Sequence, residues 1–291
     1  MPTDSKDANR RPWLAPLIGL GQIMFQESAV TGAFFLVGIA VASPLMAFGA
    51  ALATVVGTLT ALLLRFDKSE IKAGLFGFNS ALVGIACYFY LEPVPATHGF
   101  LIVGSIAASI VTYLMRRYLP FPSYTAPFIV VTWAVLAVAP LVGVHFLPHS
   151  GGPDRLDLWS AVSEGLSEVM FQANNWTGLL FLTGIALNSW KQAGWALLGS
   201  VVGLVIAVWV HDPDTKISAG LFGYNAALAS MALALQRRLI IYPILAALVS
   251  VPITELFPYL PLQTLTAPFV LASWAVLAWD VLERRFQGRG F

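Results

Sequence analysis

The sequence predicts an all-α integral membrane protein made of two inverted repeats. Two observations favour this fold. The 291 residues are 58% hydrophobic and only 11% charged, whereas soluble domains have about 25% charged residues. In addition, long apolar blocks from the first half of the chain return in the second half, which indicates a duplication. A soluble protein of this composition would lack the polar residues to cover its surface, so we expect a membrane location.

Three pairs of sequence blocks carry the duplication. They follow the same order in both halves, at offsets of 146, 146 and 141 residues. The pairs are TGAFFLVGIA with TGLLFLTGIA (31–40, 177–186), AGLFGFNSALVGIA with AGLFGYNAALASMA (73–86, 219–232), and TAPFIVVTWAVLA with TAPFVLASWAVLA (125–137, 266–278). We therefore divide the chain into an N-terminal tail (1–12), a first repeat (13–145), a linker (146–157), a second repeat (158–286) and a C-terminal tail (287–291).

Each repeat is expected to hold five membrane-crossing helices and one shorter re-entrant helix. A crossing needs about 20 apolar residues, or about 17 at the short end, so the first two stretches of each half are marginal. The expected crossings are 13–28, 30–43, 45–65, 97–115 and 124–145, then 159–175, 177–190, 192–210, 239–256 and 266–283. The segments 75–91 and 221–236 open with Gly, Phe and Asn and are interpreted as half-membrane helices. An odd number of crossings inverts the second repeat relative to the first.

The charges predict an orientation in the membrane. With the N-terminus inside, eleven of the 16 Lys and Arg residues fall on the inner side, in agreement with the positive-inside rule. Both termini are therefore expected in the cytoplasm. The N-terminus shows no apolar signal-peptide core, so we expect a multi-pass protein of an inner (plasma) membrane. A net charge of +1 without a basic cluster argues against a nucleic-acid partner.

Two polar residues interrupt apolar segments at the same column of the repeat. The stretches GLGQIMFQESAVTG (19–32) and GLSEVMFQANNWTG (165–178) are identical at seven of fourteen columns, and Gln22 occupies the column of Glu168. An acid inside a membrane costs at least about 2.5–3.5 kcal/mol, so it is a functional candidate. The alternative is an acid near a helix end that faces lipid headgroups or pairs with a cation.

Helical spacing suggests which neighbours share a face with these polar residues. Phe25 and Phe171 lie three residues beyond Gln22 and Glu168, and in a helix that spacing places each pair on one face. Glu27 lies about 140° away from Gln22 around the same helix, and its repeat counterpart is Ala173. We therefore expect Glu27 to cap a helix or to bond between helices.

The motifs GLFGFNSALVGIA and LTAPFV, with the paired GQ…F and SEVMF segments, resemble the urea transporter family of the bacterial type. The resemblance covers nearly the whole chain and implies a urea channel that assembles as a homotrimer in the lipid bilayer, with one pore per subunit at the interface between the repeats. It also implies the residues of the pore filter, which are Gln22, Ile23, Phe25, Phe78, Leu82 and Thr125 from the first repeat and Glu168, Val169, Phe171, Tyr224, Leu228 and Thr266 from the second.

Several of these residues have alternative interpretations. The phenylalanines are also compatible with simple packing between helices, and the threonines with bonds to their own helix backbone. The hydroxyl of Tyr224 either contacts the solute or faces away from it. Asn79 and Asn225 are expected to cap the half-helices rather than to touch urea.

Oxygen acceptors suit urea, a flat neutral molecule with four N–H bonds and one carbonyl oxygen. A pore must replace the acceptors that water provides, because unpaired polar groups in an apolar passage cost several kcal/mol. The chain has no Walker motif and no Ser/His/Asp grouping for hydrolysis, so we expect no enzyme activity and no cofactor. One cysteine and four scattered histidines suggest no metal site.

The alternative function is a proton-coupled carrier of urea or a small amide, in which Glu168 binds the proton. Such a carrier usually needs a second intramembrane acid, and only Glu27 is a candidate. A membrane scaffold for an enzyme would leave the duplicated acceptors unexplained. The sequence therefore favours a passive channel.

Overall fold

The computed structural model describes residues 12–148, 156–237 and 239–287, and the regular elements within these ranges are all helices. The all-α prediction is confirmed. The first half contains α1 (Ala15–Gln22), α2 (Ala29–Ala42), α3 (Pro44–Leu63), α4 (Lys68–Lys72), α5 (Phe78–Tyr90), α6 (Pro95–Tyr118) and α7 (Ala126–Val138). The second contains α8 (Leu158–Ser167), α9 (Asn175–Asn188), α10 (Trp190–Trp209), α11 (Asp214–Ser218), α12 (Gly223–Gln236), α13 (Ile241–Leu256) and α14 (Ala267–Gln287).

The two halves fold into matching helices in the same order. Helices α2 and α9 have 14 residues each, α3 and α10 have 20 each, and α4 and α11 have 5 each. Their neighbours also match, since α3 packs on α5 and α10 packs on α12. The duplicated sequence blocks therefore produce duplicated local structure.

Four helical stretches of the described ranges are long and apolar enough to cross a membrane. They are Pro44–Leu63, Pro95–Tyr118, Trp190–Trp209 and Ile241–Tyr259, and at 1.5 Å per residue a 20-residue helix spans about 30 Å. Helices α2, α5 and the Ala126–Val142 stretch are apolar but shorter. The predicted five crossings in each half are therefore not met by helix length alone.

The first crossing predicted in each half is wrong as a continuous helix. In the segment 13–28, a 3-10 turn at Pro12–Leu14 leads into the 8-residue α1, which ends at Gln22. The segment 159–175 contains the 10-residue α8, which ends at Ser167 and is followed by a 3-10 turn. A helix of 8–10 residues reaches only about 12–15 Å, so neither helix is long enough to cross a bilayer of about 30 Å by itself.

Serine residues form the corners between consecutive helices. Ser43 ends α2 and accepts a hydrogen bond from the backbone N–H of Met46, which caps α3. Ser189 does the same between α9 and α10, with Gln192 as the donor. Because an extended serine can close one helix and open the next, the chain turns sharply without leaving helix-end groups unpaired.

The central contact between the halves is the packing of α2 on α9. The rings of Phe35 and Phe181, both fully buried, lie 4.8 Å apart between centroids. On either side, the hydroxyl of Thr31 donates to the Gly184 carbonyl at 2.8 Å, and the hydroxyl of Thr177 donates to the Gly38 carbonyl at 2.7 Å. The same polar contact is thus made twice, once in each direction.

We predict that Gly178→Ala destabilises the protein strongly while Gly194→Ala does not. A Cβ at Gly178 would lie 2.1 Å from the carbonyl oxygen of Ser163 on α8, whereas nothing lies within 4 Å of a Cβ at Gly194. Backbone must shift in the first case, which costs about 1–3 kcal/mol, and the second gains up to about 1 kcal/mol of helix propensity. Thermal unfolding in detergent measures the difference. Equal melting temperatures for the two variants would contradict this packing of α9 on α8.

Candidate functional site

Helix α1 ends in a hydrogen-bonded turn directly after Gln22. The N–H of Phe25 donates to the Gln22 carbonyl at 3.0 Å, and the N–H of Gln26 donates to the Gly21 carbonyl at 3.0 Å. These are the two bonds of a Schellman motif. The turn after α8 repeats both bonds, from Phe171 to Glu168 and from Gln172 to Ser167. The polar residue of each half therefore occupies the end of a helix that stops within the fold.

Phenylalanine occupies the left-handed position of both turns. The φ angles are 61° at Phe25 and 60° at Phe171, in a region that glycine normally fills in this motif. The prediction that each phenylalanine shares a continuous helical face with Gln22 or Glu168 is therefore wrong, because the helix has ended. A bulky residue in this conformation stores about 1–3 kcal/mol of strain, which is typical of functional sites.

The side chain of Gln22 is held in one orientation. Its amide nitrogen donates to the Ala73 carbonyl at 2.8 Å, and Ala73 ends α4. This bond ties the end of α1 to the end of α4. The role of the amide oxygen as an acceptor for a solute stays a prediction.

Glu168 lines a cavity of about 240 Å³. The structure brings five of the predicted site residues together around it, namely Glu168, Val169, Phe171, Tyr224 and Thr266. The cavity wall also includes Tyr90, Leu265, Lys216 and Glu255, which the sequence analysis did not single out. The cavity is large enough for a few small molecules of the size of urea or water.

The two predicted threonines meet at the junction of the halves. The hydroxyls of Thr125 and Thr266 lie 2.6 Å apart, and both residues are buried. They bond to one another and not to their own helix backbone, and their contact with a solute stays a prediction. Helices α7 and α14 begin directly after these threonines, so the two helix starts face each other.

Asn79 and Asn225 connect helices instead of capping their own. The side-chain oxygen of Asn225 accepts from the N–H of Phe269 at 3.1 Å, and that of Asn79 accepts from the N–H of Phe128 at 3.3 Å. Phe128 and Phe269 lie in the first turns of α7 and α14. The expectation that the asparagines cap the half-helices is therefore corrected, because they satisfy the first turns of the neighbouring helices.

The hydroxyl of Tyr224 donates to the backbone carbonyl of Leu265 at 2.7 Å. Of the two interpretations of this hydroxyl, the structure shows a bond to protein backbone. The other predicted wall residues, Ile23, Phe78, Leu82 and Leu228, are buried in the hydrophobic core around the site. Glu27 is exposed in the connection before α2, and the N-cap of that helix is Ser28.

Aromatic rings surround both phenylalanines of the turns. Phe25 contacts Tyr124 and Phe269 edge-on, with centroid distances of 6.1 and 5.9 Å. The sequence analysis missed Tyr124 and Phe269 as neighbours of the site. A signal existed for Tyr124, since the repeated block reads YTAPF in the first half and LTAPF in the second.

A second aromatic cluster surrounds the other turn. Phe171 contacts Phe89, Tyr90 and Phe128, with centroid distances of 4.8, 5.7 and 6.2 Å. These three residues were also missed by the sequence analysis, because they lie in distant segments of the first half. Each turn of one half is thus enclosed partly by rings of the other half, as with Phe25 and Phe269.

The apolar helices indicate an integral membrane protein, and the cavity beside Glu168 gives it a polar site. Comparison with known proteins places it further. The family model described as Urea transporter matches residues 14–281. Because that match covers most of the chain, the protein belongs to the urea transporter family.

Curated relatives agree with this assignment. The chain is 31% identical over 242 residues to Urea transporter 1 of Ovis aries, covering 75% of this chain and 61% of the relative. It is 30% identical over 239 residues to Urea transporter 1 of Rattus norvegicus, with the same coverages. The chain therefore spans about three fifths of the length of the relatives it matches.

The start of α8, the helix that leads to Glu168, is expected to depend on pH. The side chain of Asp157 caps this helix, and the hydroxyl of Ser160, followed by the backbone N–H groups of Ser160 and Trp159, holds the pKa of Asp157 below its ordinary value. A lowered folded-state pKa stabilises the protein above the unfolded pKa of about 3.9, and this contribution is lost as the pH falls through the folded-state value.

We predict that Asp157→Ala lowers the melting temperature at pH 7 and that its difference from wild type narrows below about pH 3.9. Asp157→Asn is the matched control, because its side-chain oxygen still caps α8 but does not titrate in this range. Scanning calorimetry in detergent at several pH values measures all three proteins. A deficit of Asp157→Ala that stays constant with pH would contradict the assigned charge.

Proposed function

We propose that this protein transports urea across a membrane, down its gradient, through a narrow passage between the two halves. The contact between Thr125 and Thr266 carries the proposal. Thr266 lines the cavity beside Glu168, and Tyr124, next to Thr125, packs on Phe25, which lies in the turn after Gln22. These contacts link the surroundings of Gln22 to the cavity at Glu168, and this continuity supports a path between the two residues.

The chemistry of the path suits urea. Gln22 and Glu168 supply oxygen acceptors for N–H groups at its two ends, and the threonine hydroxyls supply both donors and acceptors between them. Aromatic and aliphatic side chains form the walls, namely Ile23, Phe25, Phe78, Leu82, Val169, Phe171, Tyr224 and Leu228. A flat polar solute exchanges its water shell for these oxygens, whereas an ion would lose its hydration without full replacement.

The inverted-repeat arrangement is part of this proposal. Thr125 contacts its own repeat counterpart, Thr266, and the bonds of Thr31 and Thr177 are reciprocal. Contacts between equivalent residues are characteristic of a two-fold relation. If this two-fold axis lies in the membrane plane, α1 and α8 enter the membrane from opposite sides and both end near its midplane.

The location and assembly of the protein are proposed on the same grounds. The distribution of basic residues supports an inner (plasma) membrane orientation with both termini in the cytoplasm. Membership of the family supports a homotrimer with a passage in each subunit, surrounded by lipid. It also supports a transporter rather than an enzyme. The comparisons give no support to the alternative, a proton-coupled carrier.

We predict that Glu168→Leu reduces urea permeability about tenfold while Glu168→Gln keeps most of it. Leucine removes the acceptor, and one lost hydrogen bond to the solute in a buried site costs about 1–3 kcal/mol, where 1.4 kcal/mol is tenfold. Glutamine keeps a side-chain oxygen, as Gln22 does in the other half. Stopped-flow light scattering of proteoliposomes that face a urea gradient measures the rates.

Three comparisons make the experiment decisive. Glu283→Gln, at an exposed position on α14, should behave as wild type. An imposed proton gradient should leave wild-type uptake unchanged, and dependence on it would favour the carrier. Uptake by wild type no faster than by empty liposomes would show that urea is not the solute.

A further inference from the structure

A hydrogen-bonded cluster lies beside Phe25 at the Gln22 end of the path. We name it the mouth network, consisting of Tyr124, Gln236, Arg237, Tyr242 and Asp280. Its link to the path is the side-chain amide of Gln236, the last residue of α12, which donates to the Tyr124 hydroxyl at 2.7 Å. The phenol of Tyr124 is therefore held at both ends, by its backbone and by its hydroxyl.

A buried carboxylate anchors the mouth network. Asp280 on α14 is only 2% exposed, and it accepts from Arg237 at 2.9 Å and from the hydroxyl of Tyr242 at 2.7 Å. Arg237 also donates to the backbone carbonyl of its neighbour, Gln236, at 3.2 Å. Charged hydrogen bonds to a buried carboxylate fix geometry closely, so the end of α12 that carries Gln236 is tied to α14.

Tyr124 connects the mouth network to the aromatic rings beside Gln22. Its ring lies 6.1 Å from that of Phe25 and 5.1 Å from that of Phe269, between centroids. Its backbone has a left-handed φ of 46°, and its carbonyl accepts from Asn79 at 3.3 Å. The three rings therefore form one packed cluster, in which Tyr124 alone carries a polar anchor to the mouth network.

The repeat counterparts of these residues differ from them, so the same network is not formed at the Glu168 end. Leu265 stands in the column of Tyr124, Tyr90 in that of Gln236, and Ala139 in that of Asp280. Leu265 adopts the same left-handed φ of 46°. The left-handed backbone at this position therefore forms without the mouth network. The need for that backbone conformation does not explain why the network is present at the Gln22 end.

We propose that the mouth network makes Tyr124 a positioning residue that determines specificity at the Gln22 end of the path. The bond from Gln236 fixes the tilt of the Tyr124 ring, and that ring fixes Phe25, so the opening there is held to the width of a flat, unsubstituted urea. This inference rests on the proposed function. Without the bond, the rings are free to separate and bulkier ureas pass more easily.

The test compares two solutes in the same proteoliposomes. Permeabilities to urea and to N,N′-dimethylurea are measured by stopped-flow light scattering for wild type, Tyr124→Phe, Gln236→Met and the double variant. Each single variant removes one partner of the bond while keeping the size of the side chain, and each should lower the ratio of urea to dimethylurea permeability at least threefold. The double variant should lower it no further, because both changes break the same contact.

The ratio of urea to dimethylurea permeability distinguishes a positioning role of the bond from an effect on protein stability. A variant that only lowers the amount of folded protein reduces both permeabilities equally and leaves the ratio unchanged, which would overturn the inference while urea flux upholds the proposed function. Additive shifts in the double variant would also overturn it. Tyr259→Phe, at a tyrosine that is 86% exposed, is the matched control and should keep the wild-type ratio. Wild-type protein that passes neither solute would reject the proposed function, and this inference with it.

Discussion

Hydrogen-bonding groups at the end of a helix that stops within the fold must find partners within the protein, and the rest of this structure depends on how that is achieved. Water is absent from the hydrocarbon layer, so a broken helix is tolerated only where protein surrounds it. Helices α1 and α8 end in turns whose backbone N–H groups donate to the last carbonyl groups of the same helix. In addition, the side-chain amide of Gln26 donates to the Met24 carbonyl at 2.8 Å. The enclosing halves, the aromatic clusters and the paired threonines all surround these two turns.

The same logic explains why the halves are joined through polar contacts between buried residues. In lipid, apolar packing alone gives little preference for one partner surface over another, whereas a hydroxyl without a partner is costly. Thr31, Thr177, Thr125 and Thr266 each bond across the junction between halves. The indole N–H groups of Trp133 and Trp274 do the same, reaching the carbonyls of Gln263 and Pro122 at 2.8 and 2.9 Å. Each half thus fixes the loop that precedes a threonine of the other.

Much of the fold and part of the site could be predicted from the sequence, because a duplication exposes the columns that both halves keep. The acceptor role of Gln22 and Glu168 stays a prediction, whereas the membrane class and most of the helices followed from composition and from the repeat. The end of α1 at Gln22 did not, since neither Gly nor Pro marks the turn and Phe25 occupies the left-handed position. Tyr124 and Asp280 were missed for the opposite reason, because each differs from its counterpart and its role depends on contacts between distant segments.

The two phenylalanines in left-handed turns have a consequence for attempts to improve the protein. Glycine is the residue that relieves strain at such positions, and a search for stabilising substitutions guided by backbone conformation would choose it at residues 25 and 171. Glycine at these positions would increase the free energy of unfolding, but it would also remove the two rings around which the aromatic clusters are built. At these two positions, thermal stability and the proposed transport therefore favour different residues. Stabilising substitutions have to be sought elsewhere in the chain, at positions away from these two turns.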